Sequence, residues 1–336
     1  MPLRCLTPAD TTLRDRYGHR LDRRILELAL ARALGFDAEI RFYDSSWTGN
    51  PAPELEAAFA NTFDDAAVVL RDERGNEVGA LDGSSQYADP EARLHENEFY
   101  LTGTEAVGDG LRAEDPPAAT PVTENYYLKP RADGSARVTV ERIYRGTAAE
   151  GVRKTYDEML PEEFRRHVQR VVAGFAQSAT LVGDYKVDRE RESPGIIRVV
   201  YTMEIPDFAV VSGGRLVIRL PERTALSPAL KERAYPFRRD DWTNVRRTWR
   251  LAPPDGYRVV CMPESREIAM AGAFYKDTVG HDGPWVLLDT ELRLEPIEFG
   301  PGAYADYLRE TLSIRGPSQD TVILAPTAPA EAGPRP

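Results

Sequence analysis

From Gly18 to Leu34 apolar residues recur at helical spacing. Leu21, Ile25 and Leu28 form one stripe and Leu26, Leu30 and Leu34 another. With Ala29, Ala31 and Ala33 they cover more than half of the circumference, so the spacing predicts a helix buried on several sides. Gly35 follows as a left-handed stop. Ala38, Ile40 and Phe42 then alternate with Glu39, Arg41 and Tyr43 as in a half-buried strand. A buried helix running straight into a strand is a common nucleus of α/β and α+β domains, and its first turn is where chemistry is expected.

The same two periods recur downstream. A short polar helix is predicted over 8–16, then a turn-rich loop over 44–54 with an amphipathic segment at Leu55–Phe59. AAVVLR (66–71) and EVGAL (77–81) flank a Gly75 turn and predict a hairpin, and FYLTG (99–103) adds a strand. Gly108 to Pro121, with Pro116 and Pro117, predicts a linker over 108–121 that closes a first domain at 1–107. Beyond it, 122–129 and 135–144 are spaced as a hairpin around Asp133-Gly134. Residues 148–177 read as helical, with Pro161 at a first-turn position. Strands are predicted at 179–188, 196–205, 214–220, 242–251, 257–262, 266–275 and 285–294, then a helix at 304–312 and a strand at 319–325. Many short strands broken by Pro, Gly and Asp turns predict a sandwich-like antiparallel region over 122–325 with a helical insert near 148–177. The Pro/Ala-rich tail 326–336 is expected to be disordered.

Composition narrows the classes. A chain of 336 residues, 42% hydrophobic, can bury two or three cores. A net charge of −11 argues against a nucleic-acid partner held through its phosphates. The Arg-rich runs RRTWR (246–250) and FRRDD (237–241) read as solvated strand faces. No stretch approaches the roughly 18 consecutive apolar residues of a membrane span. The first residues lack the apolar core of a signal peptide, which predicts either a cytoplasmic protein or a start that lies inside a longer exported chain. Cys5 and Cys261 stand far apart without metal spacing, so two free thiols are expected and no metal or other cofactor.

The helix start YGHRLDRR resembles the turn that carries the nucleophile in bacterial transglutaminase-like proteins, where the run is roughly Gly-Asp-Cys-Lys-Asp-Lys before a Leu-rich helix ending in Leu-Gly. Gly18, Asp22, the helix 25–34 with Leu34-Gly35 and the strand 38–43 stand in matching places. Downstream, Phe63-Asp64-Asp65, AAVVLR, Gly75 and Leu81-Asp82-Gly83-Ser84 look like the family's Phe-Asn-His, strand, hairpin and Leu-Asp-Pro-Thr. Gly146, Arg153, the 204–221 stretch with Gly213 and Leu220-Pro221, and Tyr304 with Tyr307 look like the strand-rich region of longer members. The resemblance covers most of the chain. It implies an α+β fold with a partial papain/transglutaminase-like core ahead of the antiparallel region, lacking the N-terminal half of that core. It also implies work in the periplasm or cell envelope.

The departures from the pattern are chemical. A thiol nucleophile of this kind needs Cys at a helix N-terminus, His as base and Asp as its orienter. The Cys position is Arg20, the His position is Asp65, and only Asp82 keeps its type. A guanidinium is always protonated and is no nucleophile. The vestigial triad therefore predicts a pseudoenzyme, in which Arg20 and Asp65 could form an ion pair of reversed polarity. The expected role is binding or scaffolding with a protein or peptide partner, one form of which is the missing half of the core on another chain. In that form an apolar patch would lie exposed where the missing part packs. The competing reading is a residual cysteine- or serine-type peptidase or acyltransferase, with a Ser, Cys or His converging on Asp82.

Other candidates read blandly. His19 and Asp22 stand at i, i+3 without a third metal ligand, so His19 is expected as a surface or capping residue. His95 and His281 read as loop and turn residues, and His167 as part of a polar helix face. No GxSxG occurs, and Val211–Arg215 reads as a hairpin turn rather than a phosphate loop. Trp242, Trp249, Tyr257 and Trp285 are expected in the core or on sheet faces, with a sugar platform as the alternative.

Overall fold

The computed structural model describes residues 6–43, 65–81, 87, 100–102, 105–107, 122–188, 195–220, 231–239, 243–295, 297–313 and 321–327. The fold is α+β, as the sequence predicts. The 44–54 loop, the Leu55–Phe59 segment, the 108–121 linker and nearly all of the 326–336 tail lie outside the described residues.

The first unit holds α1 (Ala9–Asp15), α2 (Arg20–Ala33), β1 (Asp37–Tyr43), β2 (Asp65–Arg71), β3 (Glu77–Leu81), β4 (Tyr100–Thr102) and β5 (Glu105–Val107). Its strands form one antiparallel sheet in the order β3-β2-β1-β4-β5. Leu28 and Ala31 of α2 pack on Ala38, Ile40, Val68 and Leu70, so one stripe of the helix meets one face of the sheet. The predicted burial on several sides fails at the C-terminal end, where Leu30 and Leu34 are exposed. The other fully buried positions of the helix are polar, Asp22 and Arg24.

The second region contains β6 (Val122–Pro130), β7 (Ala136–Arg145), α3 (Thr147–Glu158), α4 (Pro161–Phe175), β8 (Thr180–Leu181), β9 (Lys186–Asp188) and β10 (Ile196–Ile205). There follow β11 (Ala209–Ser212), β12 (Arg215–Arg219), β13 (Phe237–Arg239), β14 (Thr243–Leu251), β15 (Tyr257–Cys261) and β16 (Arg266–Met270). The remaining elements are β17 (Ala273–Asp282), β18 (Trp285–Leu294), β19 (Ile297–Phe299), α5 (Pro301–Ser313) and β20 (Thr321–Pro326). A large sheet runs β16-β17-β18-β14-β6-β7-β10-β8, with β9 also on β10 and β14/β6 as its parallel pair. A smaller sheet runs β11-β12-β20-β15, and β13 pairs with β19.

Alternation builds the core. Tyr126, Leu128, Val138, Val140, Tyr201, Met203 and Trp249 point to one face of the large sheet. Leu216, Ile218, Val322 and Leu324 of the smaller sheet close over that face, and Val168 and Val172 of α4 join the same cluster. Trp249 stacks on Tyr126 across the parallel pair at 5.5 Å.

Several local expectations change. The 148–177 helix breaks at Met159 and Leu160, both extended, because the residue before Pro161 is pushed out of the helical region. The strand expected at 266–275 is two, β16 and β17, hinged at Ala271-Gly272. The Arg-rich runs are not purely solvated faces. Strand alternation sends Arg247 inward to Glu124, while Arg239 donates to the carbonyls of Gly272 and Glu295 and to the Tyr307 hydroxyl.

Candidate functional site

The site suggested by the sequence lies at the first turn of α2. The chain turns through Leu34–Phe36 directly into β1, with the Leu34 and Phe36 N–H groups bonded to the carbonyls of Leu30 and Ala31. Helix and strand therefore run antiparallel, which sends the start of α2 toward the end of β1. There Tyr43 pairs with Asp65, the first residue of β2. Arg20 heads α2 and is half-buried. The topology thus brings the main chain of Asp65 to the same end of the sheet as Arg20. The Asp65 side chain and all of Asp82, which follows the last residue of β3, lie outside the described residues.

The turn before α2 is tied down from both sides. One carboxylate oxygen of Asp22 accepts the Thr7 N–H at 2.8 Å and the other accepts the His19 N–H at 2.9 Å. These main-chain donors hold the Asp22 carboxyl below the usual carboxylate range despite its burial. Asp22 is thus a capping residue whose two oxygens are engaged, and His19 is the residue it caps. Gly18 lies so close to α1 that an added Cβ would stand 2.8 Å from Thr12 Cγ2.

On the sheet face away from α2, Glu39, Arg41, Arg71 and Glu77 form a closed square. Arg41 pairs with Glu77 and, at 3.1 Å, with Glu39; Arg71 meets Glu39 at 2.6 Å. Two cations and two anions cancel there, and Arg41 holds the Glu77 carboxyl down.

The large sheet carries a polar arrangement that the sequence reading missed. Register places Arg142, Glu124, Arg247, Thr290, Asp277 and Arg266 side by side across six strands. Glu124 bridges Arg142, at 3.1 Å, and Arg247. Asp277 accepts the Tyr275 hydroxyl at 2.8 Å, Thr290 Oγ1 at 2.7 Å and Arg266 Nε at 3.3 Å. A signal existed: each of Glu124, Arg247 and Asp277 is a charge at an inward position of an alternating strand. Each carboxylate in the row pairs with at least one guanidinium.

Among the described histidines, His167 differs most from its reading. It is half-buried, with Nε2 3.2 Å from the Tyr156 hydroxyl, which in turn lies 2.7 Å from the Tyr185 hydroxyl. On the solvent side of α3 and α4, Lys154, Arg166 and Arg170 line an open cleft of about 870 Å³. Trp249 belongs to the core, whereas Trp285 and Tyr127 stand on the outer sheet face with Lys129 and Arg250 over their rings. Each of these rings thus carries a cation within cation–π range. Cys261 is free and exposed, and His281 lies on an exposed strand end; Cys5, His95 and Trp242 are outside the described residues. Among the described residues no group of three or more His, Cys, Asp or Glu converges as a metal site. No helix among the described residues is long and apolar enough to cross a membrane.

No family model matches the chain, and no curated protein matches it. Solved structures do. One is a crystal structure from Parabacteroides distasonis described as a "putative protease", with 12% identity and a TM-score of 0.49 over 95% of this chain and 48% of that one. The chain spans about half the length of that protein. A likeness at this level carries nothing about activity, which leaves function to the geometry.

Proposed function

We propose that the protein is a non-catalytic binding protein, built on a partial, degenerate transglutaminase-like unit that recognises a protein or peptide partner. The observation that carries this reading is the apolar end of α2. Leu30 and Leu34 lie one turn apart on one helix face, 47% and 78% exposed, and Phe36 follows at 44%. Large apolar side chains clustered at one helix end mark a surface that another molecule covers. The first turn of the same helix agrees. Where the resemblance puts a thiolate stands the Arg20 guanidinium, which stays protonated, and the nearby Asp22 carboxylate is consumed by capping.

The test is a photo-reactive amino acid in place of Leu34, in the intact protein within its own cells. The expected result is one discrete protein adduct that disappears when Leu30→Glu is added. Absence of an adduct, or peptide cleavage or amide exchange by the purified chain, overturns the reading.

A further inference from the structure

We propose that the cleft on the α3–α4 hairpin is a second interaction surface, which takes an extended, carboxylate-rich segment of a protein partner. It does not depend on the reading of the first unit. Arg166 and Arg170 stand four residues apart on one face of α4, and Lys154 of α3 lines the same cleft of about 870 Å³. Like charges at that helical spacing oppose helix formation unless something neutralises them. Two carboxylates in the first turn of α4 are engaged. Glu163 turns back to accept the Leu160 N–H at 3.1 Å, capping α4, and Glu162 pairs with Arg165 at 3.5 Å. Among the described residues no carboxylate forms an ion pair with Lys154, Arg166 or Arg170. After burial, the Arg170 charge is the second cause that lowers the His167 pKa. Against Glu158 and Glu163 on its walls, the cleft keeps an excess of positive charge in a chain whose net charge is −11.

Shape decides what kind of acid fits. The cleft is open, and its lining on α4 runs from Glu163 to Ala173, about 15 Å at the helical rise. That length suits four or five residues of extended peptide. In such a peptide, side chains two residues apart fall on one side about 7 Å from each other, close to the about 6 Å between Arg166 and Arg170. Met159 in the cleft and exposed Leu160 at the hairpin tip offer apolar contact to the intervening residues. The recognised pattern is acidic-x-acidic with apolar x.

Fluorescence anisotropy of a labelled peptide with alternating Glu and Val, titrated with the full chain at low salt, tests this. Binding is expected to weaken about tenfold or more in Arg166→Ser/Arg170→Ser, and to be unchanged in Arg215→Ser. The Lys154 amine should become protected from acetylation, and the Gln-for-Glu peptide should not bind. Absence of binding by the Glu peptide, equal binding of the Gln peptide, or an equal loss in Arg215→Ser overturns the proposal. Folding of the double variant is checked by its thermal transition, which relief of the like-charge pair should leave in place or raise.

Discussion

The Tyr156 hydroxyl of α3 lies 3.2 Å from His167 Nε2 of α4, with the two rings edge to face at 5.3 Å. Burial first, then the Arg170 charge, holds the His167 ring below its ordinary pKa of about 6.5. The unfolded chain therefore binds the proton more readily than the folded one. The stability this ring contributes is present above about pH 6.5 and is lost as pH falls through the lower, folded value. Urea midpoints at about pH 7.5 and pH 5 check this. The wild-type chain should lose more stability between them than His167→Gln, and Arg170→Ser should raise the imidazole titration seen by NMR.

Glu124 sits between two guanidinia, Arg142 and Arg247, with little access to solvent. Removing the anion alone strands two like charges, which costs about 3–5 kcal/mol in such settings. Glu124→Ala should therefore lower the denaturation midpoint sharply. Replacing Glu124, Arg142 and Arg247 together with apolar residues of similar volume should recover most of the loss. A Glu124→Ala chain of unchanged stability would show that water already neutralises the row.

Much of this architecture is legible in the chain because period and turn chemistry act locally. The α2–β1 unit, the hairpin at Asp133-Gly134 and the helix around Tyr304 follow from spacing that any window of the sequence contains. What escapes is set by distant partners. Leu160 reads as helical until the ring of Pro161 excludes it. Arg247 reads as solvated because nothing local reveals that Glu124, 123 residues earlier, faces it across the parallel pair. His167 reads as polar surface because Tyr156, itself bonded to Tyr185, reaches it from another element. At the first turn of α2 the sequence identifies the residue types, while Asp22 shows its capping role only once Thr7 is seen to fold back on it.

Asp22 should carry the α1–α2 corner. Its two oxygens satisfy the Thr7 and His19 N–H groups, one ahead of α1 and one at the helix start. Asp22→Ala leaves both donors without that partner, and losing a cap of this type costs about 1 kcal/mol. Because the folded carboxyl is held below its ordinary value, the contribution is complete above the unfolded pKa near 4 and fades as pH falls through the folded one. Hydrogen exchange at the His19 amide is expected to accelerate in the variant and in the wild type at low pH. An unchanged exchange rate in Asp22→Ala would remove Asp22 from that role.

Gly134 meets a double constraint in the β6–β7 turn. Its φ of 89° lies in the left-handed region, and an added Cβ would stand 2.7 Å from the Ala209 carbonyl oxygen. That carbonyl belongs to main chain that cannot swing aside freely, since the Ala209 N–H donates to the Gly134 oxygen at 2.9 Å. Conformational strain alone costs an L-residue about 1–2 kcal/mol there, and the clash adds to it. Gly134→Ala should lower the unfolding midpoint by more than a Gly151→Ala control, where an added Cβ meets nothing and helix formation gains. Because the contact joins the turn of the large sheet to the first strand of the smaller one, exchange should rise at Ala209 as well as at Ser135. A rise confined to Ser135 would show that the turn, and not the junction between the sheets, absorbs the strain.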